Sequence, residues 1–157
     1  MDLDRFDARI LSALQRDGRL PVVELAEAIG LSPTPCARRI KVLETNGVIE
    51  SYAAVLNPGR IGLEVLAIVQ VKLTEHTDET VGRFEREIAL LDEVTNCYAM
   101  TGSYDFILHV YAKDLDSLSN VVLKKLIRIP NLRDMQSSVV LATVKRSTRL
   151  PLVHLAQ

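Results

Sequence analysis

Residues 30–47, Gly30-Leu31-Ser32-Pro33-Thr34-Pro35-Cys36-Ala37-Arg38-Arg39-Ile40-Lys41-Val42-Leu43-Glu44-Thr45-Asn46-Gly47, decide how the chain reads. Ser32 offers a hydroxyl cap, and Pro33 and Pro35 fall in a first helical turn, where backbone N–H groups lack helical acceptors in any case. Asn46-Gly47 ends the helix. Projected at roughly 100° per residue, Cys36, Ile40 and Leu43 share a narrow arc that faces a core. Thr34, Arg38, Lys41 and Thr45 gather on the opposite side, two cations and two small hydroxyls with no acid among them. Arg39 lies to one side of that set.

Working back toward the N-terminus, Val22 to about Ile29 reads as a two-turn helix burying Leu25, Ala26 and Ile29 before Gly30. An earlier helix starts after Asp4, with Phe6, Ile10, Leu11 and Leu14 as its stripe and Gly18 as its stop. Val48 to Leu56 reads as extended. Three short helices followed by an extended segment match a winged helix-turn-helix, whose third helix enters the major groove of DNA. On that reading Arg38 hydrogen-bonds a base such as guanine, and Lys41 meets a base edge or a phosphate. Ser32, Thr34 and Thr45 approach phosphate oxygens, and Arg39 reaches phosphate rather than bases. The alternative is that these cations only solvate a surface helix.

Beyond a turn cluster at Asn57-Pro58-Gly59 the pattern changes. Residues 64–73 form a strand-length apolar run, and 78–91 place Val81, Phe84, Ile88 and Leu91 at helical spacing. Residues 94–101 and 104–111 read as strands joined by a tight turn at Gly102-Ser103. Residues 115–129 are helical, with Leu118, Val122, Leu126 and Ile129 on one stripe, and 135–144 are a final strand. The order βαββαβ is ferredoxin-like, so the fold class is α+β with domains at 1–57 and 58–157. Two helices cannot hide Ile68, Tyr98, Met100, Ile107 and His109 as well as the opposite face. A second copy covering the open sheet predicts a homodimer.

The whole chain of 157 residues is 48% hydrophobic and 25% charged, which fits a globular protein and excludes a disordered one. Nineteen basic against twenty acidic residues leave a net charge of −1, so any nucleic-acid contact has to be local. Cys36 and Cys97 are far apart and lack metal-ligand spacing; no metal or cofactor is expected, and Cys36 is read as a core residue. No export signal or membrane-length apolar run is seen, which predicts a cytoplasmic protein. His76, His109 and His154 are scattered and form no catalytic series, so an enzyme is not expected.

Leu3-Asp4-Arg5-Phe6-Asp7-Ala8-Arg9-Ile10-Leu11, Leu25-Ala26, Gly30-Leu31-Ser32-Pro33-Thr34-Pro35, Arg39-Ile40, Leu43-Glu44, Gly47-Val48-Ile49 and Gly102-Ser103-Tyr104-Asp105 together resemble the Lrp/AsnC family, the feast/famine regulators. The resemblance implies a transcriptional regulator with an N-terminal DNA-reading domain and a C-terminal ligand-sensing (RAM) domain. It also implies dimers that assemble into octamers and respond to a small amino acid. Pro21 departs from the Ser or Thr cap of many relatives. By the same resemblance, Thr101, Gly102, Ser103, Tyr104 and Asp105 lie at an effector pocket, with Gln136 and Ser138 entering from the last strand. In chemical terms, open amides near Gly102 suit a carboxylate and Asp105 suits an ammonium group. The other reading has Gly102-Ser103 only turning the chain and Asp105 capping local amides. Two rival functions stand beside the regulator: an architectural nucleoid protein without effector control, and a cofactor-independent ferredoxin-like enzyme.

Overall fold

The computed structural model describes residues 2–155. Asp4 begins the first helix, α1 (Arg5–Leu14): its Oδ1 accepts the N–H groups of Phe6 at 2.8 Å and Asp7 at 2.9 Å, while Asp7 Oδ2 accepts the Asp4 N–H at 3.0 Å. This reciprocal capping box satisfies amides that the helix itself leaves unpaired. Ile10 and Leu11 are buried as the stripe predicts, with Phe6 and Leu14 half-buried. Gly18 is not the stop expected of it. The helix ends at Leu14, and Gly18 lies in the following turn, where a Cβ would come within 3.3 Å of the Tyr52 ring.

The second helix, α2 (Val22–Ile29), buries Leu25, Ala26 and Ile29 and ends at Gly30 with φ 76° and ψ 37°. An L side chain in that left-handed region costs about 1–2 kcal/mol, so glycine sets the corner between α2 and the third helix. That helix, α3 (Pro33–Thr45), has Ser32 at its N-cap, but the hydroxyl makes no capping bond. The third helical residue, a usual donor to such a cap, is Pro35, which has no N–H. Cys36 and Leu43 are fully buried and Ile40 half-buried.

Arg39 fastens α3 to α1. Its Nη1 lies 2.8 Å from Asp4 Oδ2 and 2.9 Å from Asp7 Oδ1, and its guanidinium carbon stands 5.6 Å from the centre of the Phe6 ring. After α3, residues 50–57 form neither helix nor strand and pair with no strand among the described residues, so the segment read as extended over Val48 to Leu56 supplies no β-wing here. The tail from Lys145 onward joins this helical unit, which otherwise ends at Val55. A division at 57/58 leaves that tail with the second domain. What draws it to the helices is apolar: Leu152 and Leu155 pack on the core of Ile10, Leu11, Leu25 and Leu43.

The second unit runs from Leu56 to Val144. Its elements are β1 (Val65–Leu73), α4 (Asp78–Ala89), β2 (Val94–Ala99), β3 (Phe106–Ala112), a helical stretch over 115–127, and β4 (Leu132–Val139). The sheet order is β2-β3-β1-β4 with every neighbour antiparallel, the ferredoxin-like arrangement. Ala67, Val69, Val71 and Leu73 of β1 alternate into the core with Phe106, Leu108, Val110 and Ala112 of β3. Phe84 and Ile88 of α4 and Leu118, Val122, Leu126 and Ile129 close over them, with the Phe84 and Phe106 ring centres 4.5 Å apart.

Three boundaries differ from the sequence reading. The helical stretch is π-wound over Leu118–Leu123, between the short α5 (Leu115–Ser117) and α6 (Lys124–Ile127). A four-residue repeat drifts by about 40° per step on an α-helix, and wider winding keeps Leu118, Val122 and Leu126 on one buried face. The β2–β3 connection is longer than a two-residue hairpin: the Met100 N–H donates to the Asp105 carbonyl at 2.8 Å and encloses Thr101 to Tyr104. The last strand starts at Leu132 and stops at Val139, opposite Ala67, with one further bond from the Val140 N–H to the Leu66 carbonyl at 2.8 Å. Leu141 and Val144 are consequently exposed despite their composition.

The α1 cap carries a pH signature. The backbone N–H of Asp7 holds the Asp4 carboxyl below its ordinary value of 3.8, outweighing the opposing effect of partial burial, with Phe6 N–H and Arg39 assisting. A carboxyl depressed in the folded state contributes stability above its unfolded value, and that contribution fades as pH falls through the folded one. Asp4→Ala should therefore lower unfolding free energy at pH 7 by roughly 0.5–2 kcal/mol. Urea titrations of variant and parent should converge as pH drops below about 4.

Candidate DNA-reading helix and ligand loop

The third helix presents its sides as the projection requires. With Cys36 and Leu43 anchored inward, Thr34, Arg38, Lys41 and Thr45 are exposed, and Ser32 is exposed at the entry. Among the described residues no ion pair or hydrogen bond engages the side chains of Arg38 or Lys41, so both cations face outward unneutralised. The Thr45 hydroxyl donates to the Lys41 carbonyl at 2.7 Å, which leaves its oxygen as an acceptor. Arg39 is in a different situation: its guanidinium spans Asp4 and Asp7. That contact joins residues 32 and 35 positions apart, and no local pattern announces it.

In the second unit, the loop after β2 meets the end of β1. The Asp105 N–H donates to the Val71 carbonyl at 2.9 Å, and Asp105 Oδ2 accepts the Leu73 N–H at 2.8 Å. Asp105 Oδ1 lies 2.7 Å from His76 Nε2. Burial pushes the Asp105 carboxyl up, but the His76 bond and the Leu73 N–H outweigh it and hold the group below the ordinary carboxylate value. Of the two readings left open by the sequence, the contacts match the local one: this carboxylate is taken by amide and imidazole partners within the chain. His76, one of three histidines scattered in the sequence, joins Asp105 through a pairing 29 residues long.

Tyr104 reaches from the loop to the last strand. Its hydroxyl donates to Gln136 Oε1 at 3.0 Å and lies 3.5 Å from Asp134 Oδ2. Gln136 pairs opposite Gln70 and Ser138 opposite Ile68, so both belong to the sheet face away from the helices. Thr101, Gly102 and Ser103 are exposed at the loop tip, and Gly102 has φ 126°, a conformation closed to L side chains although open space surrounds it. Tyr104 and Gln136 thus meet at one end of the open face, while Ser138 lies two residues further along β4, level with Ile68 and His109. The rest of that face carries half-buried Ile68, Ile107 and His109 and exposed Tyr98 and Met100; the Tyr98 and His109 rings meet edge to face at 5.8 Å.

Comparison with known proteins accounts for both sites together. Residues 3–44 match the AsnC-type helix-turn-helix domain, and residues 66–150 match the Lrp/AsnC ligand binding domain. The chain is 36% identical over 149 residues to the leucine-responsive regulatory proteins of Escherichia coli and Salmonella typhimurium, covering 95% of this chain and 91% of theirs. Its fold matches a transcriptional regulator from Neisseria meningitidis in complex with L-methionine, with TM-score 0.92 and 39% identity over 98% of this chain and 99% of that one. It also matches a feast or famine regulatory protein from M. tuberculosis complexed with L-methionine, with TM-score 0.82 and 28% identity over 94% and 97% of the two chains. A helix-turn-helix with a bare cationic face, joined to a ferredoxin-like ligand-binding unit, places this chain in the Lrp/AsnC family of transcriptional regulators.

Proposed function

We propose that this regulator works as a cytoplasmic homodimer that reads a near-palindromic DNA site and changes its assembly when a small amino acid binds. The observation that carries the reading is the outward, unpaired cationic face of α3. Arg38 reads a base edge in the major groove, Lys41 a base edge or phosphate, and Ser32, Thr34 and Thr45 approach phosphate oxygens. Arg39, read from the sequence as a phosphate contact, contributes instead by fixing the helix to α1, since Asp4 and Asp7 take up its guanidinium. A near-palindromic site requires the two α3 helices of a dimer joined through the open sheet face to lie roughly 34–36 Å apart, one turn of duplex.

The ligand loop supplies the control. The amides around Gly102, with Thr101 and Ser103, suit a carboxylate, while the acceptors of Tyr104, Gln136, Asp134 and Ser138 suit an ammonium group. Asp105 holds the loop in register from beneath. The L-methionine bound by two structural relatives supports an amino acid as the class of ligand. Binding regulates only insofar as it favours one arrangement of dimers, such as an octamer of four, over another.

Arg38→Ala should weaken binding to the cognate site by roughly 1–3 kcal/mol and blur discrimination between cognate and altered bases. Fluorescence anisotropy on both duplexes checks this; equal loss on every sequence would reduce Arg38 to a phosphate contact. Occupancy of many weak sites, insensitive to amino acids, would instead indicate an architectural protein. Asp105→Ala should loosen the 101–104 loop and weaken amino-acid binding at least tenfold, on the order of 1.4 kcal/mol, while the dimer still binds DNA. Calorimetric titration of parent and variant with L-methionine and other amino acids tests it, and an unchanged isotherm would remove Asp105 from the site.

A further inference from the structure

The chain passes between its two units twice, near 55/56 and again near 144/145, and the second passage returns a basic segment to the helices. Lys145-Arg146-Ser147-Thr148-Arg149 has three cations in five residues, and residues 145–155 contain no acid. Built contacts, rather than charge, hold the segment that follows. Gln15 brackets Leu150 with two hydrogen bonds, accepting its N–H at 2.5 Å and donating to its carbonyl at 3.2 Å. Leu152 and Leu155 then pack on the helical core. Lys145 and Arg149 are left exposed.

The tail shares a surface with the helices. Thr148 lines a groove of 620 Å³ with Arg16, Arg19, Ser51 and Tyr52. Asp17 is the acid in that lining, and its Oδ1 is occupied by the Arg19 N–H at 2.9 Å. Tyr52 leads on to α3, since its hydroxyl donates to Glu44 Oε1 at 2.9 Å, one residue before Thr45 of the reading face. The helices through Val55 hold seven basic and eight acidic residues, so they alone carry −1; the three tail cations change the unit to +2. A groove lined by arginines and hydroxyls, beside an exposed basic strand of chain, has the chemistry of a phosphate-backbone contact.

We infer that Lys145 to Arg149, together with Arg16 and Arg19, form a second DNA contact that grips the phosphate backbone beside the groove read by α3. This rests on α3 reading DNA. It explains how a chain of nearly neutral overall charge concentrates positive potential where a duplex docks. The contact is blind to sequence, because phosphates are the same at every step.

The test is the salt dependence of DNA binding by the full-length double variant Lys145→Gln/Arg149→Gln, measured by anisotropy on a cognate and an unrelated duplex. Each lost phosphate contact should flatten the slope of log K against log salt concentration by about 0.9, so by about 1.8 for the pair, equally on both duplexes. A charge-matched control, Lys113→Gln/Lys124→Gln in the other unit, should leave the slope as in the parent. An unchanged slope in the tail variant would overturn the inference, as would an equal flattening in the control, which would signal net charge alone. Weaker binding with an unchanged slope and a lowered melting temperature would overturn it too, by making the tail a structural brace. Failure of the parent to bind any duplex would defeat the α3 reading itself, a separate outcome.

Discussion

The second unit depends on the central strand β1, which is hydrogen-bonded on both sides, to β3 and to β4. Its side chains alternate, so Ala67, Val69, Val71 and Leu73 enter the core while Ile68, Gln70 and Lys72 face the other way. Burying each valine or leucine is worth roughly 1.5–3 kcal/mol, and a slip of one residue would turn all of them outward. That penalty sets the register of β4 and therefore the positions of Gln136 and Ser138. Asp105 reinforces the same strand at its end, through Val71 and Leu73. Core packing and the placement of the 101–105 loop are consequences of one strand's alternation.

The helical unit relies on a different arrangement. Its third helix is amphipathic but has a Ser32 that does not cap and two prolines in its first turn, so little in its own sequence orients it. Orientation comes from the buried Cys36 and Leu43 behind it and from the Arg39 bridge to the capping box of α1. Asp4 and Asp7 do two jobs with one pair of carboxylates: they start α1, and they receive the guanidinium of α3. Such a charge-assisted contact has defined geometry, which a reading helix needs if its outward cations are to meet fixed points on a duplex.

The two candidate surfaces share a design in which buried or paired groups support exposed ones. On α3, Arg39 is engaged while Arg38 and Lys41 are bare. On the loop, Asp105 is engaged while Thr101 to Ser103 are exposed, with Tyr104 bonded across to Gln136. Support of this kind limits side-chain freedom before a ligand arrives and so lowers the ordering cost of binding.

Much of the chain was legible from periodicity and end signals. The three N-terminal helices, the buried sets in α2 and α3, and the strand and helix order of the second unit follow from patterns of 3.6 and 2 that act over neighbouring residues. The cationic side of α3 was legible for the same reason, being a property of one helix. What required the tertiary structure are the pairings across distance: Arg39 with Asp4 and Asp7, His76 with Asp105, Tyr104 with Gln136, and the return of the tail to Gln15. Local misreadings had the same origin. Gly18 met Tyr52 instead of ending a helix, β4 closed at Val139 short of the exposed Leu141 and Val144, and the 118–126 repeat rewound to suit the sheet beneath it. Side-chain periodicity states which face of an element turns inward; only the packed chain decides what that face, and each charge at its margin, finally meets.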